Sequence, residues 1–297
     1  MKKILFFLSI GLILYFFFRE EKRNQIAILT PATHPSLEEI ERAFKEKIEV
    51  ESKGKYKIVT YNAQGNKTLM QSEAEEILRR NFDLVFTIGT NASYMVKELF
   101  SKKGVSTPIV FTCVNDPIGF EIVSSEERPL GHITGVKEIV DYEKEIELVI
   151  KKRPELKKIL LVYNPMEPGL IKDKKRVEEI FFAKNLTLLA VEVFQTNEVM
   201  SKAEQLLKGV DAILILKDNT VVRAVEALIK LSKRYQIPLI ASDLDSYKLG
   251  ASLAFGVEEK EFGLEGAEIA LDILENGKHP GSIAVKSVDK FLFLEGK

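Results

Sequence analysis

Five apolar runs, each stopping at a small polar cluster, constrain the fold of this chain more than any other feature. Residues 84–88 run into Gly89-Thr90-Asn91, and residues 109–111 run on towards Asn115-Asp116-Pro117. Residues 159–162 run into Tyr163-Asn164-Pro165, 212–216 into Asp218-Asn219-Thr220, and 238–240 into Ala241-Ser242-Asp243. A continuous apolar run of this length is the pattern of a strand covered on both faces. Strands of that kind belong to parallel sheets, and ligands bind such sheets beyond the carboxyl ends of the strands. The five clusters are therefore the candidate site. Their amide, hydroxyl and carboxylate groups can both donate and accept, which suits a small polar ligand. Read singly, each cluster is also what a helix cap requires.

The stretches between the runs have helical periodicity. Strands are expected at 25–30, 56–61, 187–193 and 250–257 besides those above, with helices at 68–80, 92–100, 141–151, 170–184, 199–207, 220–233 and 259–276. Ser36 and Glu39 have capping-box spacing for a helix after Pro35, and Gly277 suits a helix stop. Asn91 and Thr220 are N-cap types at the heads of their helices. Strands separated by helices imply crossover connections and parallel pairing. Gly131 to Val136 breaks the rhythm and reads as a crossing near residue 135 between two α/β units.

The chain has 297 residues, with 43 Lys+Arg against 44 Asp+Glu and a formal net charge of -1. That balance gives no reason to expect a nucleic-acid partner. The single cysteine, Cys113, forbids an internal disulfide, and three scattered histidines show no metal-ligand spacing. Neither a metal nor a cofactor is expected. Lys2-Lys3 precedes an apolar run at residues 4–18, about the length of a signal-peptide core and just short of a membrane span. The run ends Tyr15-Phe16-Phe17-Phe18-Arg19, a poor cleavage site, so an uncleaved anchor over residues 1–24 is favoured over a cleaved signal.

Dinucleotide, P-loop, nucleophile-elbow and zincin motifs are all absent from the sequence. Asp243 and Asp245, two apart beyond a strand, point away from each other and make a weak acid–base pair. Cys113 reads as structural. Lys151 to Arg176 is rich in Lys and Arg, the pattern of a solvated helix face.

Asn62-Ala63-Gln64-Gly65, Ile88-Gly89-Thr90, Asn115-Asp116-Pro117 and Ile133-Thr134-Gly135-Val136 resemble, in that order, the signature stretches of the ABC-transporter substrate-binding proteins of the TrpX type. Tyr163-Asn164-Pro165, Asp218-Asn219-Thr220-Val221-Val222, Ser242-Asp243 and Phe255-Gly256-Val257 extend the likeness, from Ile26 to the C-terminus. The resemblance implies a type I periplasmic-binding fold: two Rossmann-like lobes with parallel sheets, joined by three crossing segments near 132–137, 254–258 and 278–284. Lobe 1 would comprise 25–134 plus 258–279, and lobe 2 135–257 plus 280–297. It implies ligand contacts from His34, Thr90, Asn91, Asn115, Asp116, Asn164, Asp218, Asn219, Ser242, Asp243 and Phe255. Thr90 and Asn91, at a helix N-terminus, would take an α-carboxylate, and Asp218 or Asp243 an α-ammonium. Phe255 or Tyr163 would pack on an aromatic side chain. The chain departs from the family in Asn115 where Thr is usual and in Phe255 where Tyr is usual.

The function so implied is an extracytoplasmic receptor of an ABC importer. It would perform no bond chemistry, bind an amino acid, most readily an aromatic one, and partner a permease and its ATPase. A ligand sensor of the same fold that signals to a separate membrane partner is the alternative. An enzyme is disfavoured by the missing motifs.

Overall fold

The computed structural model describes residues 24–296. The apolar run expected as an anchor or signal lies outside the described residues. No helix among the described residues is long and apolar enough to cross a membrane.

Among the described residues, twelve strands form two six-stranded sheets. The first contains β1 (Gln25–Thr30), β2 (Lys57–Asn62), β3 (Leu84–Ile88), β4 (Ile109–Val114), β5 (Ile133–Glu138) and β11 (Lys286–Val288). Its order is β11-β5-β4-β3-β1-β2, and every pairing is parallel. The second contains β6 (Lys158–Tyr163), β7 (Thr187–Glu192), β8 (Ala212–Ile215), β9 (Leu239–Ala241), β10 (Leu253–Gly256) and β12 (Leu292–Glu295). Its order is β12-β10-β9-β8-β6-β7, parallel except that β12 runs antiparallel to β10.

The five apolar runs are β3, β4, β6, β8 and β9, and helices cover both faces of each sheet. Each lobe thus has two apolar layers. In the first lobe, Ile26, Ile28, Phe44, Phe86 and Phe262 fill one layer, while Leu29, Ile77, Val85, Val96 and Phe111 fill the other. The helix Lys260–Leu274 follows the second lobe's β10 in sequence but packs on the first lobe against the helix Pro35–Glu51. Gly263 permits that approach: a Cβ there would lie 2.2 Å from the Ile40 carbonyl oxygen.

The expected border at residue 135 falls inside β5, which stays in the first sheet as far as Glu138. Gly135 is enclosed in the sheet, since a Cβ on it would meet the Phe111 carbonyl oxygen at 2.1 Å. The glycines at 131 and 135 suggested a loop, but the second marks close packing within a strand. The chain therefore crosses at 139–141. It returns at 257–259, and the third crossing is 289–291, because β11 belongs to the first sheet and β12 to the second. The first lobe is 24–138 with 260–288, and the second is 142–256 with 292–296.

Local boundaries also differ from expectation. The helix expected at 220–233 is two, Asn219–Val222 and Val225–Tyr235, and a short helix at Leu244–Leu249 was not anticipated. The first helix begins at Pro35, with His34 as its N-cap, so Ser36 lies inside the first turn and makes no capping bond.

Candidate functional site

Both sheets reverse their winding at equivalent places, between β1 and β3 in the first and between β6 and β8 in the second. Loops leaving neighbouring strands diverge at such a point and open a crevice. The two crevices face each other and enclose a cavity of about 100 Å³. Its walls come from the loops after β1, β3 and β4 on one side and after β6, β8 and β9 on the other. His34, Thr90, Asn91, Asn115, Asp218, Asn219 and Asp243 all line it.

The first-lobe wall carries little charge. Gly89, at φ +82°, turns the chain from β3 into the helix Thr90–Lys103 and offers no side-chain cap. Asn91 is therefore not the N-cap, and the first N–H groups of a 14-residue helix remain available at the cavity. The helix dipole makes that end a place for an anion. Ser93, one turn in, bonds back to the Gly89 carbonyl (2.7 Å), which fixes the turn.

The second-lobe wall is acidic. Asp218, rather than Thr220, is the N-cap of its helix: Oδ1 accepts from the Thr220 and Val221 N–H groups at 2.9 and 3.1 Å. Its Oδ2 accepts from the Asn164 N–H at 2.5 Å, tying the β6 loop to the β8 loop. Burial, with the Glu167 charge adding to it, pushes Asp218 up to about 7. Glu167 accepts from Asn219 Nδ2 (3.3 Å) and from the Thr220 hydroxyl (3.2 Å), and burial raises it too. Asp173, hydrogen-bonded to Tyr142, is pushed up to about 6 by burial first. Asp243 caps Leu244–Leu249 by accepting from the N–H and hydroxyl of Ser246, both at 2.7 Å.

Among the described residues, Lys217 is the only lysine on the cavity wall, and arginine is absent from it. Its ammonium bonds to Glu138, at the end of β5, and to Glu259 (2.6 Å), in the second crossing. Burial opposes its charge, yet the two carboxylates hold it well above the ordinary lysine range. The three groups connect two crossings to the tip of the second sheet, and Lys217 has no charge left over for a ligand carboxylate. Cys113 sits beside them at φ +55°, at the bulge where β4 shifts register against β5.

Besides the Lys217–Glu138 pair, three contacts among the described residues bridge the lobes at the cleft. His34 Nε2 lies 3.1 Å from Asn219 Oδ1. Arg223 donates from Nη1 to the Gln64 carbonyl (3.1 Å), and Lys172 pairs with Asp116 (2.9 Å). The cleft is closed.

Outside the cavity lies a larger chamber of about 410 Å³, sharing Pro31, Asn91, Glu167 and Asn219 with it. Met70, Met95, Met166 and Phe194 give this chamber a soft apolar lining, with Lys67 and Arg223 also on its walls. Asn164 faces this chamber rather than the inner cavity.

The remaining candidates lie elsewhere. Asp116 lies off the cavity wall, where its second oxygen accepts from the Gly119 N–H (2.9 Å) as a turn does. Ser242 and Phe255 lie beneath the cavity: Ser242 bonds to the buried Glu145, and Phe255 stacks on Phe291 with ring centroids 5.0 Å apart. Tyr163 bonds to Glu192 (2.9 Å) and does not line either chamber. Neither aromatic residue expected to hold a ring therefore borders either chamber. Tyr142, Glu167, Asp173, Lys217, Glu138 and Glu259 are wall residues that the sequence did not mark as site candidates, and Ser36 stood out there only as a helix cap. Lys217 was within reach, since it stands between a strand and a recognised cluster. Glu138 and Glu259 were not, because only the crossings bring them to the site.

The model of the family described as ABC transporter substrate binding protein matches residues 25–295. A relative from Clostridioides difficile (strain R20291), named tyrosine-binding protein, is 29% identical over 278 residues, covering 91% of this chain and 78% of that protein. A crystal structure of a conserved domain protein from Vibrio cholerae is similar with a TM-score of 0.85 at 24% identity, covering 92% of each chain. A structure from Streptococcus pneumoniae in complex with L-Trp is similar with a TM-score of 0.82 at 22% identity, covering 90% of each chain. With two parallel-dominated lobes, a cleft between their switch points and a family match over nearly its whole length, the chain belongs to the ABC transporter substrate-binding proteins, extracytoplasmic binders of small solutes and not enzymes.

Proposed function

We propose that the chain is the receptor of an ABC importer and that its solute is an α-amino acid with an aromatic side chain. The observation that carries this reading is the pairing of unlike walls around one cavity. An uncapped helix N-terminus at Thr90 and Asn91 faces a wall bearing Asp218, Glu167 and Asp243. A zwitterion needs both an anion site and a cation site within a few ångströms, and a sugar needs neither. The ring would extend into the outer chamber, where thioethers and Phe194 offer polarisable contact. The names of the tyrosine-binding relative and the tryptophan complex point the same way.

In this reading the lobes move as two bodies about the crossings at 139–141, 257–259 and 289–291. The solute holds them together, and the closed form docks on the permease and its ATPase. Residues 1–24 tether the receptor to the membrane. A few charge-assisted bonds and a buried ring supply the roughly 8 kcal/mol of a micromolar receptor.

A thermal-shift screen on the full-length chain, freed of bound solute, tests the ligand class. A solute at 100 times its Kd stabilises by about 2.7 kcal/mol, a rise of several degrees for a domain of this size. Tyrosine, tryptophan or phenylalanine should give the largest shift. A melt moved by sugars or nucleosides and not by any amino acid would sink the proposal.

A further inference from the structure

Buried polar side-chain atoms are nearly always hydrogen-bonded, so those that are not point to a missing partner. His34 Nδ1 and Ser36 Oγ are both buried and unpartnered, and both residues line the inner cavity. They stand two apart at the start of the helix Pro35–Glu51, with 8% and 6% of their surfaces exposed. Ser36 is free because the helix begins one residue before it, with Pro35 rather than Ser36 at its head.

The chemistry of Nδ1 follows from a chain of bonds that ends on it. The Glu167 carboxyl receives Asn219 Nδ2, which leaves Asn219 Oδ1 towards His34 Nε2. A carbonyl oxygen only accepts, so Nε2 carries the ring proton and Nδ1 is a bare acceptor. Burial lowers the His34 pKa, which keeps the ring neutral and this tautomer in place. An acceptor repels a carboxylate and draws a donor. Asp243 and Asp245 act on the same ring and make its surroundings more negative, while Arg223 acts in the opposite sense.

We propose that His34 and Ser36 form the cradle for the primary ammonium group of the solute, a role that rests on the amino-acid reading above. The ammonium has three N–H donors. One goes to His34 Nδ1, one to Ser36 Oγ and one to a carboxylate of the second-lobe wall. Glu167 and Asn219 are positioning residues, holding the ring in the tautomer that accepts. The cradle lies on the first lobe and its relay on the second, so the acceptor is set only as the lobes meet.

Calorimetry on the full-length chain with two probes tests this: L-tyrosine and 3-(4-hydroxyphenyl)propionate, the same molecule without its ammonium. The parent should bind tyrosine at least ~100-fold more tightly than the deaminated probe, as expected when buried acceptors are left unmet. Ser36→Ala should weaken tyrosine by ~10-fold and leave the deaminated probe within about twofold, while His34→Phe, which also loses the bond to Asn219 across the cleft, should weaken tyrosine by ~30-fold or more and the deaminated probe by no more than ~3-fold. His34→Gln, which keeps an acceptor, should recover most of the loss. The cradle is overturned if Ser36→Ala and His34→Phe bind tyrosine as the parent does, or if both probes weaken in equal proportion. Should the larger substitution disturb folding, unchanged tyrosine affinity in Ser36→Ala overturns the cradle by itself. A parent that binds no α-amino acid overturns the amino-acid reading itself, and the cradle with it.

Discussion

Glu145 is the acid least suited to its surroundings. It is 2% exposed, and among the described residues its carboxyl meets only the Ser242 hydroxyl, at 2.9 and 3.1 Å. Burial pushes it up to about 8, with Asp243 and Asp141 adding to the rise. Its folded value is above its unfolded one, so protonation favours folding. That contribution is complete below about pH 4.5 and is lost as pH rises through 8. Glu145→Gln, uncharged throughout, should flatten the pH dependence. It should also raise ligand-free stability above pH 8 by a few kcal/mol, on the order set by the shift, as read from urea midpoints between pH 5 and 9. At this scale the sequence indicated where polar groups gather more surely than what they do. Asp218 and Asp243 stood out as partners for an ammonium, yet their oxygens accept backbone N–H groups at helix heads. Cap and ligand contact draw on the same residue types at the same strand ends, and only the folded chain shows which bonds are already made.

Among the elements, the two helices that the crossings bring together hold the first lobe shut around its sheet. Gly263 is the point of closest approach between Lys260–Leu274 and Pro35–Glu51, where a Cβ would also fall 2.9 Å from the Ala43 Cβ. Gly263→Ala should cost about 1–3 kcal/mol of stability by overpacking, measured by urea denaturation, although alanine is the better helix former. A gain in stability would show that the helices can slide apart freely. The strands with continuous apolar runs were legible because burial on both faces leaves a pattern that needs no partner to be recognised. β11 and β12 were not: Lys286-Ser287-Val288 and Leu292–Glu295 are short, lie at sheet edges and are only partly buried. β5 was misread as a crossing because Gly135 serves packing there, and a glycine looks the same in sequence whichever role it has. The Ser36–Glu39 spacing misled for a related reason, since proline at the first helical position moved the start back by one.

At the level of the whole molecule, closure rests on a few bonds at the cleft. The Lys172–Asp116 pair is exposed and therefore weak, whereas Arg223 reaches a carbonyl on the opposite lobe. Gly65, next to that carbonyl, leaves room for the guanidinium: a Cβ there would lie 2.4 Å from Nη1. Arg223→Leu should speed solute release by about 5- to 10-fold, the effect of one charge-assisted bond, with little change in the ligand-free melt. Stopped-flow displacement measures this, and an unchanged off-rate would show that the bond does not hold the closed lobes together against release.

The unequal walls have a consequence of their own. Asp173, Asp218, Glu167 and Asp243 lie on the second lobe, an uncapped helix head lies on the first, and the lone lysine is neutralised by its two glutamates. The cleft is then a gap between a negative wall and one whose only positive feature is the partial charge of a helix head. A zwitterion entering that gap is a dipole in a field and turns to a single heading before either lobe touches it. For the amino-acid solute proposed above, a molecule that lacks one of the two charges would arrive without that heading, and selection would begin during approach, ahead of any contact.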